Sequence, residues 1–90
     1  MYKITTTGRF DKAVLRCKKR GLNLDMLRET MSILAENGKL PVKYKAHKLS
    51  GDYSGCWECH IKPDWLLVWE QNENHLTLLF LDTGTHSDLF

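Results

Sequence analysis

The apolar residues change period near Pro41, and that break limits the folds open to this chain. Before it, Phe10, Ala13, Val14 and Cys17 fall at i, i+3, i+4 and i+7, the spacing of one helix face. Lys12, Arg16 and Lys19 fall on the opposite face, and Gly21 is a suitable stop. A second helix is predicted over about 24–36, with Leu24, Leu27, Met31 and Leu34 as its stripe, Asn23 as N-cap and Gly38 as its end. The short link makes the two helices a hairpin. Met26 and Ile33 lie outside the stripe and either widen the core contact, the favoured reading, or meet a partner protein.

After Pro41 the texture is β. VKYKAHKL (42–49) is a candidate strand, and GDYSG is a loop. CWECHIK (56–62) alternates Trp57, Cys59 and Ile61 against Cys56, Glu58, His60 and Lys62. WLLVWEQ (65–71) is apolar on both faces, as a central strand is, and HLTLLFLD (75–82) is another strand. YKITTT (2–7) has the β-branched composition of a strand before the helices. The order reads β-α-α-β-β-β: two helices, then a meander. The expected fold class is α+β, with the helix hairpin packed on one face of a small, mainly antiparallel sheet. The other face stays partly open, with His60 pointing into it or to its rim.

Ninety residues make one domain, 1–90. The N-terminal MYKITTTGRF has no apolar signal region, and the apolar runs WLLVW and LLFL are too short to span a bilayer. Three cysteines, an odd number, without an export signal fit free thiols in the cytoplasm. Cys56 and Cys59 stand in CWECH, a spacing shared with redox pairs, zinc half-sites and haem attachment. On a strand, residues three apart are separated by about 10 Å and face opposite sides. A disulfide needs Cα atoms within about 7 Å. No helix starts here to lower a thiol pKa, and His47, His75 and His86 make no ligand-spaced pair. The expectation is no metal and no cofactor, with His60 as the informative residue of CWECH.

Charge is uneven. Residues 1–50 hold twelve Lys/Arg against four Asp/Glu, +8, whereas residues 51–90 hold one Lys against seven Asp/Glu, −6. Such a basic half suits a polyanion such as nucleic acid, and it also suits a solvated basic surface. His47, His60 and His86 stand near strand ends in YKAHKL, CHIKPDW and TGTHSDLF. Histidines converging with Asp64 would serve metal-free RNA cleavage. One group takes the ribose 2′-OH proton and another protonates the leaving 5′-oxygen, roles that histidine fills near neutral pH. Asp64 also fits ordinary Pro-Asp turn chemistry. Trp65 reads as core and His75 as surface.

The block YKAHKL…CHIKPDWLLVW…LDTGTHSDLF resembles the YafQ branch of the RelE superfamily of bacterial type II toxins. The combination of H-x-x-PDW, an apolar strand and TGTHSDLF carries the resemblance, and the element order agrees over nearly the whole chain. The resemblance implies a small cytosolic endoribonuclease that cuts mRNA in the ribosomal A site and is inhibited by a cognate antitoxin protein. Carried over by position, it implies the site His47, His60, Asp64, His86 and Phe90. Lys12, Arg16 and Lys19 would then bind ribosomal RNA through its backbone charge. Many relatives have Arg just before TGTH or TGSH, where this chain has Asp82. Phosphate compensation is then expected from Lys45, Lys48 and Lys62. The alternative is a non-enzymatic toxin of the ParE-like kind, which shares the fold, lacks the histidine set and inhibits gyrase.

Overall fold

Each helix starts and stops where its capping chemistry allows. In the computed structural model, which describes residues 1–90, α1 spans Gly8–Lys19. Thr7 is extended ahead of it, and its hydroxyl accepts from the Phe10 N–H at 3.0 Å. Asp11 in the first turn and Arg16, Lys18 and Lys19 in the last turn match the helix dipole. The second helix, α2 (Leu24–Asn37), is capped by Asn23, whose side chain accepts from the Asp25 N–H at 3.0 Å. It ends at Gly38, which has φ +71° and donates its N–H to the Leu34 carbonyl. A Cβ there would lie 2.6 Å from the Tyr2 ring, so this close approach also requires glycine. Met26 and Ile33 pack half-buried against the core, as the sequence led us to expect.

Five strands form one sheet in the order β1-β5-β4-β3-β2: β1 (Lys3–Thr6), β2 (His47–Lys48), β3 (Trp57–Lys62), β4 (Trp65–Asn72) and β5 (Thr77–Gly84). Only β1 and β5 run parallel. The five strands correspond to the five candidate segments, one more than the order β-α-α-β-β-β counts. The chain also has a short C-terminal helix, α3 (His86–Leu89), that the period analysis did not anticipate. The candidate strand 42–49 is mostly not a strand. Val42–Tyr44 is a 3₁₀ turn and Lys45 is left-handed at φ +52°, leaving His47–Lys48 to pair with β3. The turn buries Tyr44 and leaves Val42 93% exposed, so tertiary burial of one aromatic overrides the local alternation.

The core explains why β4 is apolar on both sides. Leu67 and Trp69 join Phe10, Cys17, Leu27 and Leu34 beneath the helices. Leu66 and Val68 join Cys56 and Leu89 in a second, smaller cluster. Trp65 and Trp69 are almost wholly buried. At 150–250 Å² each, such residues contribute at most about 4–6 kcal/mol apiece from apolar burial. The face expected to stay partly open is thus covered in part. The loop carrying Leu49 and Tyr53 lies over it, together with α3. Cys59 belongs to the first cluster and Cys56 to the second, as their strand spacing requires, and all three cysteines are free and buried. No helix is long and apolar enough to cross a membrane.

Candidate active site

Three structural devices bring the predicted histidines to one end of the sheet. The tight turn between β3 and β4 holds Asp64. A capping box starts α3: the Thr85 hydroxyl accepts from the Asp88 N–H, and the Asp88 carboxylate accepts from the Thr85 N–H. The short pairing of β2 with β3 sets His47 opposite Glu58.

Asp64 and His86 lock together. Asp64 Oδ1 accepts from the His86 backbone N–H at 2.9 Å and from its Nδ1 at 2.6 Å. These bonds, the backbone one first, hold the Asp64 carboxyl below the usual carboxylate range. Asp64 is therefore more than a turn residue. His60 faces His86 with ring centroids 5.8 Å apart. Its Nδ1 lies 3.3 Å from the Pro63 carbonyl, and His47 Nδ1 lies 3.0 Å from the Lys45 carbonyl. A carbonyl only accepts, so Nδ1 carries the proton in both rings. In all three histidines Nδ1 is thus occupied; Nε2 has no partner in His86 and turns toward the Glu58 carboxylate in His47 and His60.

Sequence reasoning missed Glu58. It is 5% exposed, and its Oε1 lies 3.5 Å from His47 Nε2 and 4.0 Å from His60 Nε2. One signal was available: Glu58 and His60 are two apart on a strand and so share a face. The approach of His47 was not readable, because it follows from the β2–β3 register.

Phe90 ends α3, 60% exposed, with its ring edge-on to Tyr53 at 5.4 Å. Lys48 lies over the Trp57 ring at 5.6 Å, and Lys62 ends β3 two residues beyond His60. Lys45 forms the left-handed corner before β2. Lys12 and Lys19 stand exposed on α1, and His75 is exposed in the β4–β5 turn. No three His, Cys, Asp or Glu side chains group closely enough to hold a metal ion. Burial pushes the Cys59 thiol up to about 12, away from thiolate chemistry.

Residues 2–90 match the family described as "Bacterial toxin of type II toxin-antitoxin system, YafQ". The chain belongs to this YafQ family. It is 35% identical over 88 residues to the mRNA interferase toxin YafQ of Escherichia coli strain K12, covering 97% of this chain and 94% of that one. The Escherichia coli DinJ-YafQ complex superposes with a TM-score of 0.90 at 34% identity, covering 100% of this chain and 99% of the matched one. A metal-bound toxin from Helicobacter pylori gives the same TM-score at 39% identity and full coverage of both chains.

Within this YafQ-family fold, Asp82 has local partners. Arg9 Nε lies 3.0 Å and Arg16 Nη2 3.9 Å from its carboxylate. The charge of Asp82 itself is thus met from α1. Strand β1 pairs with β5 only as far as Phe80, and Arg16 takes up the edge beyond by donating to the Thr83 carbonyl at 3.1 Å. Arg16 borders the same surface as Lys12 and Lys19, but its guanidinium is engaged with the Thr83 carbonyl and the two carboxylates. Arg20 donates from both Nη atoms to Asp88, and Arg16 Nε lies 3.8 Å from the same carboxylate. These contacts hold the Asp88 carboxyl far below the usual carboxylate range, with the Arg20 bond as the main cause. A Cβ at Gly84 (φ +152°) would meet Asp88 at 2.6 Å, so glycine lets β5 and α3 pack this closely.

Proposed function

We propose that this toxin is a ribosome-dependent endoribonuclease that cuts mRNA in the A site by attack of the ribose 2′-OH. The observation that carries the reading is the pair His60 and His86. Their rings face each other at 5.8 Å, and Asp64 fixes the His86 tautomer so that Nε2 is presented outward. A phosphate lodged between them has a proton acceptor on one side and a donor on the other. One imidazole takes the 2′-OH proton as O2′ bonds to phosphorus. The other protonates the 5′-oxygen as the P–O5′ bond breaks, which yields a 2′,3′-cyclic phosphate and a free 5′-OH. Asp64 supports the imidazolium that forms on His86, and Glu58 lies beside His47 and His60 to do the same there. Lys45, Lys48 and Lys62 offset phosphate charge. Phe90, at the end of the helix that bears His86, packs beside the site or stacks on a base. Lys12 and Lys19 attract ribosomal RNA. The chemistry needs no metal or cofactor. A cognate antitoxin, by analogy with DinJ in the superposed complex, restrains the toxin in the cytoplasm.

The test is cleavage of mRNA on translating ribosomes in the presence of EDTA. His47→Ala, His60→Ala and His86→Ala should each lose about 10²–10⁴ in rate, with melting temperatures near the parent. Replacing the 2′-OH at the cut site by hydrogen should abolish cleavage. Full toxicity of the triple variant would favour the gyrase-binding alternative.

A further inference from the structure

Strand β2 covers the edge of β3 only at Trp57 and Glu58, so β3 is open from His60 onward. Against that open edge, α2 and the Val42–Tyr44 turn enclose a cavity of about 160 Å³. One wall is His60, the residue that also faces His86. The others are Met26, Glu29 and Thr30 of α2, Lys43 and Tyr44 of the turn, and Ile61 of β3.

We propose that this cavity takes the base of one nucleotide flanking the cut, and that Glu29 and Lys43 select it. The proposal rests on the ribonuclease reading above. The cavity is well below the roughly 300–1,000 Å³ of a site for a drug-sized ligand, and it suits one flat ring. Met26 and Tyr44 supply apolar surface for the ring. Glu29 is an exposed carboxylate and only accepts hydrogen bonds. Thr30 is fully buried beneath the cavity and donates its hydroxyl proton to the Met26 carbonyl at 2.8 Å, so it closes the floor and offers no donor. Lys43 is the donor, and its ammonium is held 5.3 Å over the Tyr44 ring at the rim. One acceptor beside one donor fits a base edge with an exocyclic amino group next to a ring acceptor, as in adenine or cytosine. Uracil would set a carbonyl against Glu29. A phosphate between His60 and His86 leaves its flanking nucleotide one step from the cavity that His60 walls.

The experiment compares mRNAs on ribosomes that differ only in the nucleotides beside the cut. The parent should cut faster where one flanking base bears an amino group. Glu29→Gln and Lys43→Ala should each reduce that preference at least fivefold at the same position, with unchanged melting temperatures. A preference that survives both substitutions, or a uniform loss of rate with the preference intact, overturns the base pocket while leaving the ribonuclease standing. A parent that cuts no mRNA overturns both.

Discussion

Glu58 brings a carboxylate into a place where 95% of its surface is covered, with no arginine or lysine paired to it. Burial of a charge is expensive, and replacing a buried ionic group by an apolar side chain of similar size is often neutral or stabilising. Glu58→Leu should therefore keep or raise the melting temperature while mRNA cleavage falls at least tenfold. A matched fall in both would make Glu58 a structural residue. Asp64 sits at the other extreme, exposed and bonded twice to His86. Asp64→Asn keeps an oxygen for the backbone N–H but removes the charge that fixes the imidazole tautomer. Cleavage should drop by more than tenfold, and the His86 ring resonances should show altered tautomer populations.

At the scale of elements, α3 is the one that local propensity cannot hold, since four residues cannot form a stable helix alone. It is kept by its capping box, the Arg20–Asp88 bonds and the burial of Leu89. Asp64 and Asp88 both titrate lower in the folded chain than in the unfolded one, so folding favours their ionised forms. Their contribution is present in full above the ordinary carboxylate value of 3.8 and is lost as pH falls below it through the lowered values. Hydrogen exchange of the α3 amides should accelerate relative to the core as pH drops below about 4. Asp88→Asn should remove much of that dependence. Leu89→Ala should cost about 2–5 kcal/mol of stability. Deleting Phe90 should instead slow cleavage tenfold with little change in melting temperature, because its ring is mostly exposed and touches Tyr53 only at an edge.

Over the whole molecule, the basic first half and acidic second half meet along α1. Arg9, Arg16 and Arg20 turn toward Asp82 and Asp88, which leaves Lys12, Lys18 and Lys19 as the outward basic charges of α1. This division makes opposite predictions for residues on one helix. The double variant Lys12→Gln/Lys19→Gln should bind ribosomes more weakly, with the salt slope of log K reduced by about 1–2, and it should melt normally. Arg16→Gln should lower the melting temperature, because the Thr83 carbonyl and two carboxylates lose a partner. An unchanged slope for the double variant would mean that this face points away from the ribosome.

The two long helices with Gly21, Asn23 and Gly38 at their ends, the apolar faces of β3 and β4 and the free thiols were determined by the sequence itself. Each follows from short-range chemistry: a period of 3.6 or 2, an Asn or Gly at a helix end, and a spacing too long for a disulfide. The motif residues His47, His60, Asp64 and His86 could also be named from the sequence. Their relations could not. Strand β2 shrinks to two residues because Tyr44 is buried by a turn, and α3 exists because arginines 68 and 72 residues earlier in the chain bind Asp88. Glu58 meets His47 only through the strand register, and Asp82 is neutralised by a helix laid across a sheet edge. Long-range pairing of polar groups leaves no local period in the chain, so only the tertiary structure could decide it.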